Sequence, residues 1–244
     1  MRIIKLDAIN STNSYLRELI SKGNVEDFTV VSTKNQTKGR GQMGGTVWES
    51  KTAKNLTFSV FKDVSRIETD QAFYISVVTA LAIIKTLKEL GIPKLSVKWP
   101  NDILSENKKI CGVLIENVIK QSQLKASIIG IGLNVNQTEF ENLTKASSLK
   151  SISGRVFVLD EVLVALVLNL EYYFGILETG DFKVLKKEYE ANLFRKNKPS
   201  TFKDAEGSMF SGFIKGTSPE GKLVVLLEDE IIKTFDLKEI SLLY

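Results

Sequence analysis

The 244-residue sequence contains no histidine and a single cysteine, Cys111. The usual ligands of zinc and redox metals are therefore missing, and so are Ser-His-Asp and Cys-His nucleophile systems. Any catalysis must rest on lysine, arginine, carboxylates and backbone amides. One cysteine cannot close an intramolecular disulfide, and the opening MRIIKLDAINSTN lacks the apolar run of a signal peptide, so the expected compartment is the cytoplasm. Long hydrophobic runs are missing too. The longest apolar stretch, near Val162 to Leu170, is interrupted at Asn169 and followed by Glu171, too short to span a bilayer, and no membrane segment is expected. Nor is there a basic block. The net charge of +4, from 33 Lys+Arg against 29 Asp+Glu, is spread along the chain, which favours local anion sites over a nucleic-acid surface.

What is present is ordinary globular usage, 43% hydrophobic and 25% charged, at a length that suits one main core with a small appendage. Arg2 to Leu6 reads as a strand. Asn10, Ser11 and Thr12 are candidate N-caps for a helix carrying Leu16, Leu19 and Ile20, with Gly23 to end it. Phe28 to Ser32 and Leu56 to Phe61 read as strands on either side of a glycine-rich loop, Gly39 to Gly45. The clearest helix is Thr69 to Leu90, with apolar residues at helical spacing and Gly91 just past its end. Leu95 to Trp99, Lys109 to Val118 and Leu124 to Val135 read as strands, with a turn at Pro100, Asn101 and Asp102. Helices are expected over Asp160 to Leu177 and Phe182 to Leu193. The polar stretch Arg195 to Pro199 marks a boundary, after which four glycines between short apolar runs predict a small β-barrel or sandwich.

Gly39, Gly41 and Gly44 satisfy G-x-G-x-x-G, but a dinucleotide fingerprint requires the loop to open a helix, and here a strand follows. A Walker A loop is also approached, yet Gly45 stands where the phosphate lysine must be. What is left is an anion site, because glycines let backbone N–H groups turn toward an anion and Arg40 brings a guanidinium that can bind phosphate with two hydrogen bonds. A tight turn with a solvated arginine is the plainer alternative.

Lys98-Trp99-Pro100-Asn101-Asp102 ends a strand and enters a turn. Taken alone, a solvated lysine and an Asx turn explain it as well as a site does. Of Lys108 and Lys109 only one can face a shared site, given the two-residue period of a strand. Gly112 within that strand leaves room for a ligand or another backbone. Gly130, Gly132, Asn134 and Asn136 interrupt an otherwise apolar strand, which fits either a bulge with satisfied amides or close approach of a ligand.

In this order the segments resemble the biotin protein ligase family along nearly the whole chain. The matching pieces are Ser11-Thr12-Asn13, Gly39-Arg40-Gly41-Gln42-Met43-Gly44 followed by Trp48, Lys98 to Asp102, Lys109 to Glu116, and Gly130 to Val135. The resemblance implies an α+β fold. Residues 1–194 would form a catalytic domain with a central mixed β-sheet flanked by helices, and 195–244 a small SH3-like β-barrel. It implies ATP-dependent ligation of biotin to a lysine of a biotin carboxyl carrier protein, through biotinyl-5′-AMP, with Mg²⁺ on the triphosphate and no protein ligand for the metal assigned.

By the same resemblance, Arg40, Lys98, Asp102 and Lys109 are the catalytic set. Ser11, Thr12, Asn13, Gln36, Arg40, Gly41, Gln42, Lys109 and Gly112 are expected at biotin, and Arg40, Trp48, Lys98, Asn101 and Asn134 at ATP. Two departures stand out: Gln42 where many members carry a second arginine, and a span from Gly44 to Trp48 one residue longer than common. No helix-turn-helix domain precedes Met1, so neither repressor activity nor a DNA partner is expected. A homodimer is left open. The rival readings are a lipoate or octanoate protein ligase or transferase of the same fold, and a non-catalytic nucleotide-sensing module.

Overall fold

The structure, a computed structural model, describes residues 1–42, 48, 51–141 and 143–244. Seven strands form a mixed sheet: β1 (Arg2–Ile9), β2 (Thr29–Gln36), β3 (Leu56–Asp63), β4 (Leu95–Lys98), β5 (Asp102–Ser105), β6 (Lys108–Lys120) and β7 (Gln123–Leu133). Their spatial order is β1-β2-β3-β7-β6-β5-β4. Only the β1–β2 pair is parallel; each other neighbouring pair runs antiparallel. The helices are α1 (Thr12–Lys22), α2 (Phe73–Glu89), α3 (Leu149–Ser153), α4 (Leu159–Glu178) and α5 (Phe182–Ala191). A second, five-stranded antiparallel sheet follows: β8 (Pro199–Asp204), β9 (Met209–Thr217), β10 (Leu223–Leu226), β11 (Ile232–Phe235) and β12 (Ile240–Leu243), ordered β11-β10-β9-β8-β12. The expected α+β plan is what the chain adopts.

Alternation along the strands divides the first sheet into two faces. Val30, Phe58, Val60 and Ile129 join α2 and α4 in the main core, while Val31, Phe61 and Ile128 pack with Leu16 of α1 on the opposite side. Ser11 caps α1, accepting from the Ser14 N–H at 3.4 Å, and Gly23 ends it. The stretch Thr69–Glu89 is long and apolar enough by composition to cross a bilayer, more so than the Val162 to Leu170 stretch singled out above. Its burial explains the apolarity: residues Ile75, Val77 to Ile84, Thr86 and Leu87 are all buried against the sheet, α4 and α5.

Two elements were not anticipated. The turn expected at Pro100 to Asp102 ends one residue earlier, and Asp102 opens β5, a strand of four residues too short to show a period. The short helix α3 is capped by Ser148, which accepts from the Ser151 N–H. The two sheets share one apolar core, since Phe202, Ile214, Leu223, Val225, Phe235 and Ile240 belong to the same cluster as α2 and α4. Trp99 fastens them further, its indole N–H donating to the Gly221 carbonyl at 2.9 Å.

Lys62 on β3 is an unusual tie within that core. Its side chain is 5% exposed, 2.6 Å from Asp27 and 3.0 Å from Glu178 at the end of α4, beneath the rings of Phe28 and Phe174. Burial pushes its pKa down, but the hydrogen bonds and charges of Asp27 and Glu178 outweigh burial and hold it above the ordinary lysine value. A raised pKa means that the stability contributed is complete at neutral pH and disappears as pH rises through the folded-state value. Lys62→Ala should therefore cost about 2 kcal/mol at pH 7, below the full cost of a broken buried pair because both carboxylates keep contact with water. The deficit should shrink at strongly alkaline pH. Urea unfolding at the two pH values checks this, and equal midpoints at pH 7 would contradict it.

Candidate active site

The site lies on the α1 face of the first sheet, and its floor is set by strand register. Lys98 pairs with Asp102, Asp102 with Gly112, Gly112 with Gly132, Gly132 with Thr57, and Thr57 with Thr33, one continuous row across six strands. A second row places Leu114, Gly130 and Ser59 side by side. Glycine weakens a strand interior by about 0.5–1 kcal/mol relative to alanine, so glycines meeting on adjacent strands call for a reason. Here the reason is space. A Cβ at Gly132 would overlap the Trp48 indole, and one at Gly130 would overlap the Asn13 amide. No bulge occurs between Ile128 and Leu133, which sets aside one of the two accounts weighed from the sequence; Gly130 and Gly132 make room for side chains of other segments and also line the site's cavity.

Asn13 spends its hydrogen bonds inside the protein. Its Oδ1 lies 2.5 Å from the Ser59 hydroxyl, and its Nδ2 donates to Glu116 Oε2 at 2.7 Å and to the Leu114 carbonyl at 3.3 Å. The Ser59 hydroxyl, whose one proton goes to Asn13, also lies 2.7 Å from the Thr12 hydroxyl, while Gln36 Oε1 accepts from the Thr12 N–H at 3.0 Å and lies 3.3 Å from its hydroxyl. This network fixes the start of α1 against the sheet. Arg40 turns toward Glu116 and the Ser14 hydroxyl, at 3.4 Å and 3.3 Å.

At the other end of the row, Asp102 sits between two lysines. Lys109 Nζ is 2.6 Å from Asp102 Oδ1, and Lys98 Nζ is 3.8 Å from Oδ2. Lys108 is exposed and Lys109 faces the site, which settles the choice the strand period left open. The backbone of Lys109 is clamped by the Lys145 carbonyl and the Ser147 N–H. Lys98 also lies 5.1 Å over the Tyr244 ring and Lys109 lies 5.8 Å over Trp48. Burial pushes the Lys98 pKa below the ordinary lysine value; Asp102 opposes this, and Lys109 and Lys145 add to it. Cys111, fully buried, is no nucleophile: burial raises its thiol pKa.

These groups line one cavity of about 340 Å³. Ser11, Thr12, Asn13, Gln36, Arg40, Gly41, Gln42, Trp48, Lys98, Asn101, Asp102, Lys109 and Gly112 all reach it. Asn134 does not line it. Its side chain is buried and donates to the Ser147 carbonyl at 3.0 Å, so its amide is satisfied within the protein. Asn101 reaches the cavity, but its amide donates to the Val113 carbonyl at 2.7 Å. The loop positions Met43, Gly44 and Gly45, and the lengthened span up to Val47, lie outside the described residues. Sequence reasoning missed Ser59, Thr57 and the second sheet, whose Ile214, Leu223, Leu237 and Ile240 to Leu242 form a wall. Ser59 carried one signal, a hydroxyl between the apolar residues Phe58 and Val60.

Trp48 Nε1 and Thr57 Oγ1 are buried without a hydrogen-bond partner. Orphaned polar atoms on a cavity wall are suited to a polar ligand. The residues do not form a metal site: among the described residues no group of three His, Cys, Asp or Glu could hold an ion, and Asp102, the cavity's carboxylate, is taken by two lysines.

Residues 6–134, just over half of the chain, match the model of the biotin/lipoate A/B protein ligase family. The biotin protein ligase of Aquifex aeolicus, solved in complex with biotin and ATP, shares 29% identity and superposes with a TM-score of 0.82, covering 99% of this chain and 98% of that one. The bifunctional ligase/repressor BirA of Escherichia coli is 29% identical over 97% of this chain and 73% of its own length. The BirA of Bacillus subtilis is 28% identical over 96% and 72%. The chain belongs to the biotin/lipoate A/B protein ligase family and is a ligase of its biotin protein ligase branch.

The electrostatics of the cluster can be tested directly. In protein whose lysines carry isotope-labelled methyl groups, the Lys98 resonance should titrate below 10.5, and Asp102→Asn should move that titration lower still, since it removes the charge that favours the ammonium. A Lys98 titration at or above 10.5, or one raised by Asp102→Asn, would contradict this.

Proposed function

We propose that this chain joins biotin to a lysine of a biotin carboxyl carrier protein in two steps within this one cavity, and that it does so in the cytoplasm. The observation carrying the reading is the row that ends in Asp102 and Lys98, with Lys109 paired to Asp102 by its side chain, beside a cavity whose other wall bears Thr12, Gln36 and Arg40. In the first step a biotin carboxylate oxygen attacks the α-phosphorus of ATP, forming biotinyl-5′-AMP and releasing pyrophosphate. Both partners are anionic, and two unit charges about 4 Å apart repel by roughly 4 kcal/mol at an effective dielectric of 20. Lys109, Lys98 and Arg40 are the cavity's cations among the described residues, and they offset that repulsion where the negative charge converges. Mg²⁺ belongs to the ATP triphosphate as its counter-ion.

In the second step the carrier amine attacks the acyl carbon, the amide bond forms, AMP leaves with the bonding pair, and the amine gives up its proton. A free lysine is neutral in only about one molecule in 2,500 at pH 7, so the step needs help with that proton. Asp102, the carboxylate that lines the cavity, is the candidate to orient the incoming ammonium and receive its proton. Thr12 and Gln36 offer donor and acceptor groups to the ureido ring, while Asn13 acts through its neighbours because its amide is already bonded. Trp48 and the second-sheet wall face the adenylate side, with Trp48 Nε1 unpartnered for it. Lipoate ligation is the weaker reading, because a solved structure named as a biotin protein ligase matches along nearly the whole chain.

Lys109→Ala and Lys98→Ala should each lower biotin-dependent exchange of pyrophosphate into ATP by about 10²–10³-fold with circular dichroism unchanged, the range for loss of one preorganised charge-stabilising donor. Near wild-type exchange in both variants would remove these lysines from the chemistry.

A further inference from the structure

Glu116 does not line the cavity, yet it holds three groups near the site at once. Its Oε2 accepts from Asn13 at 2.7 Å, its Oε1 is 3.0 Å from Arg17, and both oxygens are 3.4 Å from Arg40. One carboxylate therefore faces two guanidiniums. Arg17 has the shorter contact and projects from α1 onto the protein's surface; Arg40 has the longer contacts, is half exposed, and is the member of the pair that lines the cavity.

We infer that Glu116 is a positioning residue that holds Arg40 at the cavity's edge until an anionic ligand arrives, and that Arg17 keeps the carboxylate paired when Arg40 leaves. An arginine with no partner would sample many rotamers, and ordering it would cost entropy at binding. An arginine held too firmly would resist transfer to the ligand. The 3.4 Å contacts give an intermediate grip. Arg17 lowers the cost of breaking them, because Glu116 at 19% side-chain exposure is not left as an uncompensated, largely buried charge. Asn13 holds the other oxygen throughout, so the carboxylate does not follow Arg40.

This inference rests on the ligase reading, and the two can fail separately. The probe is a stable biotinyl-adenylate analogue in which a phosphate ester replaces the mixed anhydride, titrated calorimetrically into the full chain. Glu116→Gln should tighten binding by about three- to tenfold, the size of a partly exposed charge pair, because Arg40 no longer has to leave a carboxylate. Arg17→Gln should weaken binding by about threefold, because Glu116 then has only Arg40 to neutralise it. In an Arg40→Gln background both shifts should vanish, and with the neutral alcohol of biotin they should vanish as well. A purely structural Glu116 would weaken binding in both single variants, and that result overturns the inference. Shifts that persist without Arg40 would show the charges acting directly on the ligand and overturn it too. If Glu116→Gln fails to fold, Arg17→Gln with and without Arg40 still decides. Wild type that does not bind the analogue overturns the ligase reading, and this inference with it.

Discussion

Register across the first sheet is the constraint on which the site depends. Because Asp102, Gly112, Gly132 and Thr57 fall opposite one another, the sheet has a strip without bulky side chains on its α1 face, ending at a carboxylate between two lysines. A slip of one residue would turn the glycines to the α2 face and send core side chains into the cavity. The main core resists such a slip, since Phe58, Val60, Ile129 and Ile131 on the other face are buried against α2 and α4. Fold stability and site geometry are thus two faces of one alignment.

The same alignment explains why the charges are where they are. Lys98 ends β4 and Asp102 opens the neighbouring β5, and Lys109 reaches Asp102 from β6, whose pairing with β5 shifts register between Ile103 and Leu104. Three charges on paired strands lose little freedom when they meet a ligand. Burial at that end, with the charges of Lys109 and Lys145, pushes the Lys98 ammonium toward its neutral form, while Asp102 opposes this.

Much of this was legible in the sequence, and the exceptions share a cause. The cap at Ser11, the end at Gly23, helix α2 and the strands around the glycine loop follow from local chemistry and periodicity. The residues expected at the site are brought together because each belongs to a short segment whose composition is odd for its element: glycines in strands, a lysine and an aspartate at strand ends. Asn134 looked like the others, but its amide is consumed by Ser147, which no spacing could reveal. Ser59, Glu116 and the apolar wall from Ile214 to Leu242 become site features only through register and packing at long sequence separation. Strand β5 was too short to read, and its pairing rather than its composition makes Asp102 face two lysines.

That one cavity serves both activation and transfer is the central claim, and the mass of the acceptor tests it most directly. A purified biotin carboxyl carrier domain, incubated with this protein, ATP, Mg²⁺ and biotin, should gain one biotinyl group on one lysine, and the gain should require both small substrates. A carrier whose mass stays unchanged while biotin-dependent pyrophosphate exchange proceeds would contradict the account.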